Sequence, residues 1–128
     1  MSEYILHTLM KTNIKTILLI EPDPEVAEVM EMLLENEGYA VAWLRTANIL
    51  NSFIHEKYAL IMLDHWICGD RDLGREIRSS VNFAQTPILM LSTEPDLKLV
   101  AESNLADGYL RKPFKINDLL KAVQEYIK

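Results

Sequence analysis

The sequence predicts an α/β fold in which a parallel sheet is covered by helices on both faces. Five short apolar segments recur along the 128 residues, and apolar runs without polar alternation are typical of strands buried on both faces. Segments with helical periodicity separate them, and crossovers of a dozen or more residues imply parallel strands. At this length, right-handed crossovers favour a doubly wound, flavodoxin-like (βα)5 domain with a five-stranded parallel sheet.

The strand segments differ in how they end. The central one runs from Tyr58 through five further apolar residues into a single carboxylate, Asp64. In an open parallel sheet, ligands bind outside the carboxyl ends of the strands, so this aspartate is the first candidate functional residue of the chain. The five predicted strands are residues 16–20, 40–44, 58–64, 87–91 and 108–111.

Five helices are predicted between and after these strands. Asp23 is expected to cap the first helix, with Pro24 as its first residue and Gly38 closing it. A weaker second helix follows a cap at Thr46. The fourth helix runs through Leu97, Leu99, Val100 and Ser103. The apolar positions expected to face the core are Val26, Val29, Met30 and Leu33; Ile49, Leu50, Phe53 and Ile54; Leu73, Ile77 and Val81; Leu97, Leu99 and Val100; and Ile116, Leu119, Leu120, Val123 and Ile127.

The bulk properties exclude several classes of protein. The length corresponds to one domain, and the net charge of −6 argues against non-specific binding to nucleic acid or to an anionic membrane. Cys68 is the only cysteine, which excludes an internal disulfide and a cysteine-based metal site. A cytoplasmic location is the default expectation for such cysteine usage, and no apolar run approaches bilayer length. Residues 1–15 are interpreted as an N-terminal extension, either a disordered arm or a short helix docking on the body or on a second copy.

Four strand ends carry polar side chains that a parallel sheet would bring together. These are Glu21, Asp64, Ser92 with Thr93, and Lys112. Two carboxylates suit a hard divalent cation such as Mg²⁺, while a hydroxyl and an ammonium suit a phosphoryl group. An aspartate can itself accept phosphate as a nucleophile. Each residue alone is more often an ordinary turn or surface residue, so only their joint arrangement predicts phosphoryl transfer onto Asp64.

Residues 16–128 resemble a response regulator receiver domain of two-component signalling, in its single-domain, chemotaxis-regulator-like form. The resemblance covers nearly the whole chain in the right order, and its last segment is the most specific. The matching segments are Ile17–Pro24 (ILLIEPDP), Ala59–Asp64 (ALIMLD), Thr86–Ser92 (TPILMLS) and Ala106–Phe114 (ADGYLRKPF).

The resemblance implies roles for individual residues. Asp64 would be the phosphoacceptor, Ser92 the switch hydroxyl, and Tyr109 the aromatic residue that reorients on phosphorylation. Lys112 would contact the phosphate. Its peptide bond to Pro113 is expected to be cis, a rare conformation that has a specific structural role where it occurs.

The implied metal site departs from the family pattern. Glu21 matches the first member of the acidic pair, and the ligands implied besides it are Asp64 and the backbone carbonyl of Trp66. The second acidic residue is replaced by Pro22, which offers neither a side-chain ligand nor an N–H group. Asp23 is the alternative ligand but is also the expected helix cap. We therefore expect weak or absent Mg²⁺ binding.

The loop after the phosphoacceptor also differs from the family. Cys68 stands where the family usually has proline, and residues 70–74 match poorly. Trp66 is expected either to cover the site or to present an apolar contact outside it. His65 is interpreted as a loop histidine, with a metal-binding role as the less favoured alternative.

The sequence is compatible with two mechanisms. In a working receiver, a histidine kinase or phosphotransfer protein phosphorylates Asp64, and the face of the fourth helix, fifth strand and fifth helix changes its protein partner. In a pseudo-receiver, the fold and this face persist without phosphorylation because of Pro22. Neither is an enzyme beyond self-phosphorylation and autodephosphorylation. A small metal-dependent phosphotransferase or phosphatase is a third possibility, but no general base or glycine-rich phosphate loop supports it, and Pro22 with Pro24 disfavours a flavodoxin-like cofactor site.

The partners follow from the resemblance. We expect a single-domain regulator that acts by protein–protein contact, unless the chain is part of a longer protein. Nucleic acid and membrane are not expected partners, and a homodimer would use the face around Tyr109.

Overall fold

The computed structural model describes residues 14–46, 57–68 and 72–127. Within these ranges the chain alternates strands and helices, with one short 3₁₀ turn at Val81–Phe83. The strands are β1 (Thr16–Ile20), β2 (Ala40–Leu44), β3 (Leu60–Asp64), β4 (Ile88–Ser92) and β5 (Gly108–Arg111). The helices are α1 (Pro24–Asn36), the single turn α2 (His65–Cys68), α3 (Leu73–Arg78), α4 (Leu97–Ser103) and α5 (Ile116–Tyr126).

The five strands form one sheet in the order β2-β1-β3-β4-β5, and every neighbouring pair is parallel. The strand that ends in Asp64 is therefore the central one. Ile20 pairs with Leu63 and Asp64 pairs with Leu91, so the carboxyl ends of β1, β3 and β4 finish side by side. The predicted five-stranded, doubly wound α/β fold is confirmed.

Alternate residues of the buried strands point to two separate cores, which explains their uninterrupted apolar sequences. On one face, Leu18, Ile61 and Met90 pack with α3 and α4; on the other, Leu19, Met62 and Leu89 pack with α1 and α5. Helices on both faces bury both surfaces of the sheet, so its polar groups are confined to the strand ends.

The first helix begins and ends as predicted, but its buried face is offset. Asp23 caps it by accepting a hydrogen bond from the Glu25 N–H at 3.0 Å, and Gly38 follows its end with φ +93°, a conformation that favours glycine. The residues buried against the sheet are Ala27, Met30 and Leu34, whereas Val29 is 52% exposed. The prediction that placed Val29 on the core face was wrong, because α1 carries apolar residues on more than one side and periodicity alone does not choose between overlapping stripes.

Three other predicted core positions lie at the surface. Val81 belongs to the 3₁₀ turn and not to α3, which ends at Arg78, and it is 93% exposed. Leu99 is 64% and Ile116 is 53% exposed, while their helices bury Leu97 with Ala101 and Leu119 with Val123. Short helices contact the sheet along one narrow line, so apolar residues beside that line stay in solvent.

Some predictions lie outside the described residues. The helix predicted after Thr46, with Ile49 to Ile54, falls there, as does most of the proposed extension over residues 1–15.

In the part of the chain that the structure describes, no helix is both long and apolar enough to cross a bilayer.

Candidate functional site

The lysine at the end of β5 joins the two buried carboxylates at the ends of β1 and β3. Lys112 Nζ donates to Glu21 Oε1 at 2.8 Å and to Oε2 at 3.0 Å, and it also donates to Asp64 Oδ2. Glu21 is 1% and Asp64 4% exposed. Residues 91 positions apart in sequence thus meet at one point, which is what the parallel sheet predicted.

Backbone and side-chain hydrogen bonds fix the end of β1. The Glu21 N–H donates to the carbonyl of Leu44 at 3.1 Å, extending the β1–β2 pairing by one residue. The Trp43 indole N–H donates to the Glu21 carbonyl at 2.8 Å. With a proline following directly, the backbone at Glu21 has little freedom, so its carboxylate is held where Lys112 can reach it.

The other members of the site are also held by backbone contacts. The Lys112 N–H donates to the Ser92 carbonyl at 2.9 Å, so β4 positions the lysine. The Lys112–Pro113 peptide bond is cis, as the resemblance implies. Asp64 Oδ1 accepts a hydrogen bond from the Trp66 N–H at 2.8 Å, which orients the carboxylate toward the start of α2.

The three charged groups alter each other's protonation. Burial is the main cause that raises the pKa of Glu21, to about 7, and the neighbouring Asp64 raises it further while Lys112 opposes the rise. Burial lowers the pKa of the Lys112 ammonium, but its hydrogen bonds to Asp64 and Glu21 outweigh burial and hold that pKa above its usual range. Two carboxylates around one ammonium leave an excess of negative charge, which is a suitable environment for an added cation.

The hydroxyl of Ser92 lies at the end of β4 beside this cluster. Ser92 is 4% exposed, and its Oγ accepts a hydrogen bond from the Glu94 N–H at 2.9 Å. The same Oγ lies 3.5 Å from His65 Nδ1. The predicted hydroxyl is therefore present at the site, where it accepts one backbone hydrogen bond and lies beside the His65 ring.

A cleft of about 470 Å³ opens above these groups. It is volume enough for a phosphoryl group and several waters. Trp66 stands at its rim and is 80% exposed, so of its two expected roles the exposure favours an apolar contact over a cover. The residues lining the cleft are Glu21, Pro22, Asp23, Val26, Asp64, His65, Trp66, Ser92, Thr93, Glu94 and Lys112.

The donor set suits a divalent cation that keeps most of its water. Glu21 and Asp64 provide carboxylate oxygens, the ligands that Mg²⁺ prefers. Pro22 contributes no side-chain oxygen, and Oδ1 of Asp23 already accepts the hydrogen bond that caps α1. Across the ranges 14–46, 57–68 and 72–127 there is no group of three or more histidine, cysteine or acidic side chains placed to hold a metal.

Tyr109 is the one predicted functional side chain that lies away from the cleft. It sits on the edge strand β5, is 47% exposed, and does not line the cleft. The structure thus brings Glu21, Asp64, Ser92 and Lys112 together and places the predicted aromatic switch on the outer surface.

Sequence reasoning missed two contacts of the site. Trp43 was predicted only as part of a strand, and no sequence signal indicates that its indole would reach Glu21, because this depends on the β1–β2 register. The approach of His65 to Ser92 joins residues 27 positions apart. Proximity to Asp64 in sequence was the only available hint for His65.

Comparisons with known proteins agree with this geometry. The family model for the response regulator receiver domain matches residues 17–124. The chain is 32% identical over 125 residues to the transcriptional regulatory protein GltR of Pseudomonas aeruginosa, covering 93% of this chain and 51% of GltR. It is 30% identical to the DNA-binding response regulator MtrA of Mycolicibacterium smegmatis, covering 93% and 53%. The chain therefore spans about half the length of the curated relatives it matches.

Solved structures share the fold. A response regulator from Chloroflexus aurantiacus superposes with a TM-score of 0.81 at 25% identity, covering 89% of this chain and 98% of its own. The receiver domain of the sensor histidine kinase PA1611 from Pseudomonas aeruginosa superposes with a TM-score of 0.75 at 28% identity, covering 88% and 97%. That structure has a magnesium ion coordinated in its active site cleft.

Proposed function

The chain belongs to the response regulator receiver domain family of two-component signalling, and we propose that it works by accepting a phosphoryl group on Asp64. Receiver domains are signalling domains, and the function proposed here is a switch that a partner sets. The observation that carries the proposal is the convergence of Lys112 on Asp64 and Glu21, with Ser92 on the neighbouring strand.

The chemistry follows from these positions. An Asp64 carboxylate oxygen attacks the phosphorus of a phosphohistidine on a histidine kinase or phosphotransfer protein. The P–N bond breaks and the histidine nitrogen keeps the electron pair, while Asp64 becomes an acyl phosphate. The Lys112 ammonium, already bonded to Asp64 Oδ2, offers a positive charge to the transferred oxygens. The Ser92 hydroxyl offers a donor at the same end of the sheet.

Glu21, Asp64 and the backbone carbonyl of Trp66 would hold a magnesium ion at this site. When bound, the ion supplies positive charge that offsets the charge on the phosphoryl oxygens. The magnesium-bound receiver of PA1611 supports this assignment by likeness. Pro22 lacks the carboxylate that would tighten the site, and Oδ1 of Asp23 caps α1, so we propose that this chain binds Mg²⁺ weakly.

Phosphorylation would act on the face of α4, β5 and α5. The phosphoryl group adds about −1.5 to −2 charges, which draws Ser92 and Lys112 toward Asp64. We propose that Tyr109 then turns inward, changing a surface that carries exposed Leu99 and Ile116. Such a change needs only a few kcal/mol of differential stabilisation between two states. The binding partner of this surface would be a downstream protein or a second copy of the chain.

Pro22 specifically favours a second candidate function, a pseudo-receiver. The β1–α1 loop is held by Trp43, by the Asp23 cap and by two prolines, so Asp23 could replace the missing ligand only by giving up the cap or by bending the loop. In that case a partner, and not phosphorylation, would set the state of the α4–β5–α5 face.

Intact-mass spectrometry separates the two candidates. The folded protein is incubated with phosphoramidate or acetyl phosphate, with Mg²⁺ or with EDTA, alongside Asp64→Asn. We expect one phosphoryl adduct on the wild type, faster with millimolar Mg²⁺, and none on Asp64→Asn, because the amide removes the nucleophilic oxygen at nearly constant shape.

Pro22→Asp is the informative companion variant. If the missing carboxylate weakens the metal site, this change lowers the Mg²⁺ concentration needed for half-maximal labelling by about tenfold or more. A wild type that stays unlabelled while Pro22→Asp is labelled would establish the pseudo-receiver. Labelling of Asp64→Asn at the wild-type rate would show that another residue is the acceptor and overturn both.

A further inference from the structure

The hydroxyl of Ser92 lies within reach of one imidazole nitrogen in this structure. Ser92 Oγ accepts a hydrogen bond from the Glu94 N–H at 2.9 Å. That bond uses a lone pair of the hydroxyl oxygen, so the hydroxyl hydrogen can still be donated to another group. His65 Nδ1 lies 3.5 Å from the same oxygen, and among the described residues it is the acceptor within range. Since Ser92 is 4% exposed, little solvent is available to replace this contact.

His65 is placed to control this proton and not merely to fill a loop. It follows Asp64 directly and begins the α2 turn, and its side chain is half-buried in the lining of the cleft. Asp64 pairs with Leu91 in the sheet, so the serine after Leu91 and the histidine after Asp64 are brought together by the β3–β4 register. The contact is therefore set by the rigid part of the fold.

We propose that His65 is a positioning residue that holds the Ser92 hydroxyl in its resting orientation. The imidazole accepts the hydroxyl proton at Nδ1 and carries its own proton on Nε2. This inference rests on the proposed function, because the hydroxyl must leave His65 before it can donate to a phosphoryl group on Asp64. Phosphorylation thus breaks one hydrogen bond to make another, and His65 opposes the switch until the phosphoryl group is present.

The first test reads the tautomer of His65 directly and needs no phosphorylation. Long-range ¹H–¹⁵N correlation spectra are recorded at about pH 8.5, where imidazole in water is neutral. We expect the proton on Nε2 and an Nδ1 resonance displaced by hydrogen bonding, which returns toward the value of free imidazole in Ser92→Ala. Ser80→Ala is the matched control, since Ser80 caps the 3₁₀ turn without a side-chain hydrogen bond. A proton on Nδ1, or a resonance unmoved by Ser92→Ala, overturns the proposal.

The second test measures the competition between His65 and the phosphoryl group for the Ser92 hydroxyl. His65→Phe keeps a ring but removes the acceptor, so phosphoryl uptake from phosphoramidate becomes faster by roughly two- to tenfold, the range that one net hydrogen bond implies. His65→Asn, whose amide oxygen can take the place of Nδ1, returns the rate toward the wild type. Equal rates in all three, with the wild type labelled, count against the proposal.

The two tests separate the levels of inference. A wild type that takes no phosphoryl group but shows the expected tautomer contradicts the proposed function and leaves the His65–Ser92 contact intact. A labelled wild type with the proton on Nδ1 contradicts the role of His65 and leaves the phosphoacceptor function standing.

Discussion

Arg78 and Lys112 are both largely buried cations that form ion pairs with acidic side chains. They lie at opposite ends of the strands of the same sheet. Arg78, at the end of α3, is bonded at the amino ends of β4 and β5, and its side chain is 18% exposed. Lys112 lies at the carboxyl ends of the strands, with 17% exposure. Their partners differ in kind. This difference separates a structural ion pair from one suited to chemistry.

Arg78 is surrounded by fixed acceptors of low net charge. Its guanidinium donates to Asp107 Oδ2 at 2.8 Å, and that oxygen also accepts the Ile88 N–H. Its other hydrogen bonds go to backbone carbonyls, which carry no net charge. The charges of Arg78 and Asp107 cancel, so this ion pair holds the amino ends of the strands in place without leaving an excess charge. The carbonyl acceptors belong to Phe83, Ala84, Thr86 and Leu105.

Lys112 instead faces two buried carboxylates and cannot neutralise both. The excess charge contributes to the raised pKa of Glu21, so this site is electrostatically costly in the folded state. An incoming cation offsets that cost, whereas Arg78 would gain nothing from one. The comparison shows that a buried ion pair at a strand end is informative when its charges do not balance.

Arg78→Met should produce the largest loss of stability, about 2–3 kcal/mol, because it removes the donor to four backbone carbonyls, two of them part-buried, together with the ion pair to the partly exposed Asp107. Urea unfolding should show a lower midpoint with an unchanged slope. Phosphoryl uptake per folded molecule should not change, since the variant lies at the far edge of the sheet. Arg75→Met is the matched control; Arg75 donates to the single carbonyl of Ser103 and should cost well under half as much. Equal losses in the two variants would contradict the role given to Arg78.

Glu21→Gln should increase the free energy of unfolding relative to the wild type as the pH rises, whereas Arg78→Met decreases it. A carboxyl whose pKa is raised on folding stabilises the folded state most below its unfolded pKa, and that contribution is lost as pH rises. For Glu21 the window runs from about 4.5 to about 7. In EDTA, the free energy of unfolding of Glu21→Gln relative to wild type should therefore rise by about 2 kcal/mol between pH 5 and pH 8.

Glu102→Gln is the control for that pH series, since Glu102 lies exposed on α4. Its unfolding free energy should stay parallel to that of the wild type over the same range. The raised pKa of Lys112 lies above this window, so the lysine does not contribute to the slope. A constant difference between Glu21→Gln and wild type would show that the Lys112 ammonium fully compensates the second carboxylate.

Trp43→Phe should have the smallest effect, about 1 kcal/mol, because it removes the indole donor to the Glu21 carbonyl and keeps most of the apolar ring. Thermal or urea unfolding measures the loss. Trp66→Phe is the matched control, since Trp66 is 80% exposed and should change stability by less than about 0.5 kcal/mol. A larger loss in Trp66→Phe would mean that the rim tryptophan packs against the body.

Predictions based on local chemistry were the most successful. The continuous runs at residues 16–20, 60–64 and 88–92 form the buried strands, because a strand covered on both faces needs apolar residues at successive positions. The Asp23 cap and the positive φ of Gly38 followed from residue type alone. Strand ends then brought the acidic, hydroxyl and ammonium groups to one edge.

Predictions that needed the position of a neighbouring element were less successful. The wrong assignment of Val29, Val81, Leu99 and Ile116 to the core reflects this limit, since the buried line of a helix depends on the sheet that it contacts. Nothing in the sequence around Arg78 distinguishes it from Arg75, although one donates to five acceptors and the other to a single carbonyl.

The sequence by itself determined the parallel α/β fold, the order of its strands along the chain and the four side chains at their carboxyl ends. It also determined the departure at Pro22, because the absence of an oxygen ligand is a property of the residue. Only the tertiary structure decided that Lys112 joins both carboxylates, that Trp43 fixes Glu21 and that His65 meets Ser92. Those contacts join distant residues through the register of neighbouring strands, and register is set by the packing of the whole sheet.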